Sequence, residues 1–174
     1  LYEEAAREYE NALPYAQNEY AKRSLMNNLA IVNLEQGNYD AAIEALEKLV
    51  NSPDSTYMDK VALHINNLAY ARWKKDPDSD VEDVFLEALE IRREIKDKIG
   101  LMDSYNWLFE YYESRDPERA REMARKHLEL ARETGRVSTE LTALQHLIAV
   151  SSSDEMTRYT RQYVKLNDSL NMAR

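Results

Sequence analysis

Cysteine is absent from the chain, and only three glycines and four prolines occur in 174 residues. No disulfide, thiolate nucleophile or cysteine-ligated zinc site can therefore be built. The compartment stays open between cytoplasm and bacterial periplasm. Glycine and proline together make up about 4% of the chain against roughly 12% in an average protein, which argues against a β-rich fold with many tight turns. Gly37, Gly100 and Gly135 stand far apart, so no glycine-rich phosphate loop is available. No apolar run approaches the ~20 residues needed to cross a bilayer. Basic residues are in deficit, 23 Lys and Arg against 32 Asp and Glu, for a net charge of −9. Phosphate backbones and anionic membranes both demand clustered cations. Neither nucleic acid nor membrane contact by this segment is expected, and basic or neutral partners are favoured. The chain begins at Leu1 with nothing that reads as a signal peptide. It is expected to be a piece of a longer protein.

What the chain does have is a 44% hydrophobic content and a repeat. Asn27-Asn28-Leu29-Ala30 returns as Asn66-Asn67-Leu68-Ala69, and steps of 39 residues link Asn28, Asn67, Asn106 and Gln145. The same step links Ala42, Val81, Ala120 and Tyr159, and also Leu46, Phe85, Ala124 and Tyr163. Internal periods of 20–50 residues signal stacked repeats. The first unit holds only a second half, so the chain divides into a half unit at 1–14 and full units at approximately 15–53, 54–99, 100–135 and 136–174. All are expected to form one domain over 1–174.

Within each half, apolar residues recur at steps of three and four, as in Leu25, Leu29 and Val32, which is helical spacing. Nine helices are predicted near 2–13, 16–36, 39–51, 55–75, 80–98, 101–114, 117–134, 137–151 and 154–171. Gly37 suits a left-handed stop and Asn38 a cap. Ser79 with Glu82, and Ser152 with Glu155, have capping-box spacing. Asp116-Pro117 pairs a cap with proline at the first helical position. One helical pair cannot bury its own apolar stripe but stacked pairs can, so the expected fold is all-α, a right-handed α-solenoid of antiparallel helix pairs. Small residues at Ala30, Ala42, Ala69 and Ala120 would admit close helix crossings.

The run Asn28-Leu29-Ala30 followed by Gln36-Gly37-Asn38-Tyr39-Asp40-Ala41-Ala42-Ile43-Glu44-Ala45-Leu46 resembles the tetratricopeptide repeat (TPR). The resemblance covers nearly the whole chain and is strongest over 24–50. The period of 39 exceeds the usual 34, glycine between paired helices survives only at Gly37, and the customary early tryptophan is missing. Units of this length ending in Tyr163-Val164-Lys165-Leu166-Asn167-Asp168-Ser169-Leu170 also resemble the TPR regions of Bacteroidetes-type signalling proteins, histidine kinases or transcriptional regulators. The resemblance implies a non-catalytic protein–protein interaction module that binds a peptide or helix of a partner on its concave face. The second implication is a sensory or dimerisation region of such a signalling protein, with self-association. It also argues against a carboxylate clamp: the matching positions carry Asn27, Ile31, Asn67, Met102 and Asn106, so the amide is present without its cations.

On this reading the partner-binding groove is lined by the amides Asn28, Asn67, Asn106 and Gln145 and the aromatic residues Tyr70, Trp73, Tyr105, Phe109 and Tyr112. An amide side chain both donates to and accepts from a peptide main chain, and aromatic rows suit an apolar peptide or amphipathic helix. The competing expectation is that the amides fix neighbouring helices and the rings fill the core. His64, His127 and His146 show no metal-ligand spacing and are expected to be satisfied structural histidines. Glu87, Glu90 and Glu94 read as solvated surface paired with Arg93 or Lys98. Ser151-Ser152-Ser153 lacks the glycines of a nucleophile elbow. No catalytic residue, cofactor or metal is expected, and the chain does not read as an enzyme.

Overall fold

The computed structural model describes residues 1–172; the end of the last predicted unit, 173–174, lies outside the described residues. Among the described residues there are nine α-helices and no strand: α1 (Tyr2–Ala12), α2 (Glu19–Glu35), α3 (Tyr39–Asn51), α4 (Met58–Lys75), α5 (Glu82–Glu94), α6 (Lys98–Glu113), α7 (Pro117–Glu133), α8 (Val137–Val150) and α9 (Ser153–Met172). Short 3-10 turns at Leu13–Tyr15 and Ser55–Tyr57 precede α2 and α4. The chain forms two compact units, residues 1–95 and 96–174. The boundary falls four residues before the predicted repeat edge at 99.

In the first unit each helix packs on the next, and α2 also touches α4. Ala30 and Leu34 of α2, Ala42, Leu46 and Leu49 of α3, and Leu68 and Ala71 of α4 form one buried cluster; Val61, Ile65 and Ala88 join α4 to α5 in another. Ala30, Ala42 and Ala69 are fully buried, as close crossings require. The second unit repeats the plan: consecutive helices from α6 to α9 pack together and α6 touches α8. Its buried residues include Leu108, Phe109, Ala120, Ala124, Leu144 and Leu147.

Three helix starts, those of α2, α6 and α7, carry a side-chain cap. The side chains of Asn18, Asp97 and Asp116 accept from the backbone N–H of Ala21, Gly100 and Arg119, each three residues on. Two arginines satisfy carbonyls at the C-terminal ends of neighbouring helices, where the dipole favours a cation. Arg23 of α2 donates to the Leu49 carbonyl in the last turn of α3 and to the Ser52 carbonyl just past it, both at 2.7 Å. Arg121 of α7 donates at 2.6 and 3.2 Å to the Val150 carbonyl, which closes α8.

Three expectations need correction. The Asn38 side chain makes no cap bond; it meets Asn33 and Gln36 instead. The Ser79–Glu82 capping box does not form, because α5 starts after Val81 and Ser79 Oγ donates to the Asp76 carbonyl at 2.7 Å. The fifth helix stops at Glu94, short of the predicted 98, because Lys96 adopts a left-handed backbone with φ of 57°. Lys96 lies 39 residues before Gly135, which takes the same conformation with φ of 65°. Of the four positions in this register, Lys96 and Gly135 are left-handed, whereas Asn18 (φ −152°) and Tyr57 (φ −123°) are not. Left-handed backbone disfavours a residue with a Cβ. Lys96→Gly is expected to raise unfolding stability by about 0.5–1 kcal/mol. Gly135→Ala, whose added Cβ would meet nothing within 4 Å, is expected to lower it by about 1 kcal/mol through backbone strain alone. Urea denaturation of both variants reads the opposite signs.

Candidate functional site

The amide row separates into buried and accessible members. In the first unit Asn67 of α4 is buried and its Nδ2 donates to Oδ1 of the equally buried Asn27 of α2 at 2.9 Å. Asn28, one residue along α2, is exposed. The partner of Asn67 is therefore not its 39-residue register mate but the adjacent Asn27. Asn67 ties the first helices of two successive pairs together, as the competing expectation had it. Removing one side leaves a buried polar atom unpaired. Asn67→Ala should cost about 1–3 kcal/mol of stability while Asn28→Ala should stay within ~0.5 kcal/mol. Parallel thermal and urea unfolding of the two variants checks this. Asn66 is also buried, and its Oδ1 has no hydrogen-bond partner among the described residues.

In the second unit Asn106 of α6 is half-buried and donates to Glu110 Oε1 at 3.3 Å. Gln145 of α8 is exposed and donates to the Tyr163 hydroxyl of α9 at 3.3 Å. Asn106 lines a crevice of about 550 Å³, its open mouth included. Met102 and Asp103 of α6, His127 of α7, Arg136, and Ser138, Thr139 and Thr142 of α8 share that lining.

The aromatic members divide likewise. Tyr105, Phe109 and Tyr112 are buried within their surroundings, as is Tyr111, so they are not surface lining in this structure. Their helix carries apolar side chains on more than one face, and the innermost positions take the rings. Phe109 stacks on the His146 imidazole at a centroid distance of 3.9 Å and an interplanar angle of 8°. Tyr70 and Trp73 of α4 are half-buried. Tyr70 packs against the cluster between α2, α3 and α4, and Trp73 meets both Tyr70 and the fully buried Phe85 of α5 edge-on.

His64 and His127 are buried and His146 is half-buried, yet they are not satisfied as expected: Nδ1 of all three has no hydrogen-bond partner among the described residues. Burial holds His64 down to about 4, and the positive charges of Arg23 and Lys60 push the same way against the smaller opposing effect of Asp59. Burial likewise holds His127 at about 4, with His146 adding repulsion from 6.1 Å between ring centroids. Burial alone accounts for His146, also near 4. All three are neutral at pH 7. Sequence spacing had no means of finding the His127–His146 neighbourhood, which depends on α7 and α8 packing together. His64 lines a second, narrower crevice in the first unit with Tyr20, Arg23, Ser24, Tyr57 and Lys60, and the rings of Tyr20 and Tyr57 lie 4.7 Å apart there.

Among surface charges Arg93 pairs with Glu90 at 3.2 Å as expected, whereas Lys98 pairs with Glu133 at 2.6 Å. No group of three His, Asp or Glu side chains suited to a metal occurs among the described residues. No helix among them is long and apolar enough to cross a membrane.

No protein-family model and no curated protein matches the sequence. Among solved structures the fold is similar to that of BtubC (BKLC) from P. vanneervenii, with a TM-score of 0.81 and 21% identity. That match covers 98% of this chain and 74% of the other. At such low identity the likeness shows a shared all-helical fold and nothing of what either protein binds.

Proposed function

We propose that the chain is a non-catalytic interaction module of the TPR kind, which holds a peptide or a helix of a partner protein against the first helices of its pairs. The observation that carries this reading is the position of Asn28, Asn106 and Gln145. They share one position of the 39-residue register, on α2, α6 and α8, and all three remain at least partly accessible. Such amides offer both a donor and an acceptor to a peptide main chain, with little preference for sequence. The exposed Asn28 serves the first unit, and Asn106 and Gln145 the second.

A peptide library displayed on phage, selected on the immobilised chain, supplies the probe. Affinity of an enriched synthetic peptide for Asn28→Ala, Asn106→Ala and Gln145→Ala is then compared with wild type. At least one variant should lose about fivefold, the equivalent of one hydrogen bond of ~1 kcal/mol. Circular dichroism should show unchanged folding in all three. Peptides that bind every variant as tightly as wild type would remove the amides from the interface.

A further inference from the structure

The narrow crevice of the first unit, between α2 and α4, holds polar groups that the fold leaves unused. Arg23 is 9% exposed and His64 only 3%, and both line it. The two terminal nitrogens of Arg23 are taken by the Leu49 and Ser52 carbonyls. Its Nε has no partner among the described residues, yet it is not sealed in. No carboxylate among them lies within ion-pair distance of this guanidinium. A full positive charge is thus buried against carbonyl dipoles alone, which is costly without a counter-ion.

His64 supplies an independent observation. Its Nδ1 is enclosed without a partner; Nε2 also lacks a partner but is not enclosed. Because the residue is almost wholly buried and lines the crevice, the crevice is where Nε2 opens. A neutral imidazole has one N–H to give, and on Nε2 it donates into that space. The charges of Arg23 and Lys60 both act on this ring, so both cations lie near it. Lys60 also reaches Asp59 at 3.2 Å. Asp54 is the acidic member of the lining, and one of its oxygens accepts from the Thr56 N–H at 3.0 Å. Two cations therefore face one anion. Ser24 adds a hydroxyl that makes no hydrogen bond among the described residues, and Tyr20 and Tyr57 are the exposed members of the lining.

We propose that this crevice binds a carboxylate group, held by the Arg23 Nε–H and the His64 Nε2–H with Ser24 and Lys60 beside them. Hydrogen bonds from a guanidinium to a carboxylate are charge-assisted and strong, and the bound group supplies the counter-ion that Arg23 lacks. The crevice measures about 260 Å³ with its mouth included, so it suits a small flat group. These are not the residues of a carboxylate clamp, whose matching positions in this unit carry Asn27, Ile31 and Asn67. The carboxylate arrives on a free acid or on an acidic side chain of a peptide. The site does not depend on the peptide-binding reading, because a small ion alone defines it.

The test uses the whole chain labelled with nitrogen-15. Sodium acetate replaces sodium chloride at constant ionic strength and pH 7. The expected result is saturable movement of the Arg23 Nε–H and His64 ring signals. Arg23→Gln should weaken acetate binding about tenfold or more, since the charge-assisted bond is lost. Arg23 also closes α3, so circular dichroism checks that this variant folds. Ser24→Ala and Lys60→Gln change side chains that the core does not need, and each should weaken binding about threefold. Linear, unsaturating shifts, or acetate affinity equal to wild type in both Ser24→Ala and Lys60→Gln, would overturn the site. A blocked pentapeptide with a central glutamate is then compared with its glutamine counterpart. Binding tighter than that of acetate, with the glutamine peptide silent, would identify a peptide side chain as the source. Binding no tighter than that of acetate would identify the free acid, and both results uphold the site. The library peptides are read at Asn28, Asn106 and Gln145, so failure of the acetate titration leaves that reading standing, and the converse holds.

Discussion

Replacing Phe109 by alanine should cost about 3–5 kcal/mol of unfolding stability, the penalty for emptying a well-packed aromatic site. Phe109 is 2% exposed and lies flat against the His146 ring, so truncation removes both buried area and a stacked contact. The position matters because helical spacing alone places Phe109 in a row that suits ligand contact equally well. A ligand-lining ring would lose binding on truncation and leave the fold nearly untouched. Each unit holds one tryptophan, Trp73 in the first and Trp107 in the second. In a Trp73→Phe background, Trp107 fluorescence during urea denaturation therefore reports the unit that contains Phe109. A stability loss below ~1 kcal/mol would show that the ring is not a core element.

The second large effect is acid sensitivity. His64, His127 and His146 are each held from an ordinary value of 6.5 down to about 4 in the folded chain, first of all by burial. Once unfolded, they take up protons as pH falls below ~6.5, while the folded chain resists until about 4. The unfolded state thus binds more protons across that interval, and stability must fall with falling pH. The contribution is intact above pH ~6.5, declines between there and about 4, and then levels off. A shift of this size corresponds to about 3 kcal/mol per histidine as a ceiling. His127 and His146 are neighbours and so do not add independently. Against a typical total of about 5–15 kcal/mol the loss is a large share. Urea midpoints at pH 7.5, 6.0 and 4.5 should fall steeply, and His64→Gln with His127→Gln should flatten the slope. An unchanged slope in that double variant would assign the acid sensitivity to other groups.

Much of the fold was legible because its signals are local. Helical spacing, the Asp116-Pro117 start and Gly37 with its left-handed backbone each act within a turn of the chain, and the observed helices begin and end within a few residues of the expected places. The fifth helix was read too long because nothing about a lysine signals a left-handed backbone. The candidate site was less legible for a geometric reason. Adjacent residues on a helix point about 100° apart, so the doublets Asn27-Asn28 and Asn66-Asn67 each carry one amide that can turn inward. The repeat register selects Asn28 and Asn67 as equivalents, whereas packing buries Asn67 against Asn27 and leaves Asn28 outside. The crevice beside Asn106 escaped notice because His127 and the start of α8 join its lining only after α6, α7 and α8 pack together. Tyr105, Phe109 and Tyr112 had the right spacing for a row, but spacing does not say which side of a helix its neighbours cover.

Chemical-shift mapping of a library-selected peptide on the labelled chain tests the central claim, that the first helices of the pairs receive a partner. The account predicts perturbed signals around Asn28 on α2, or around Asn106 and Gln145 on α6 and α8, with the buried Leu46 and Leu144 unmoved. Perturbations confined to the second helices α3, α5 and α7 would contradict it.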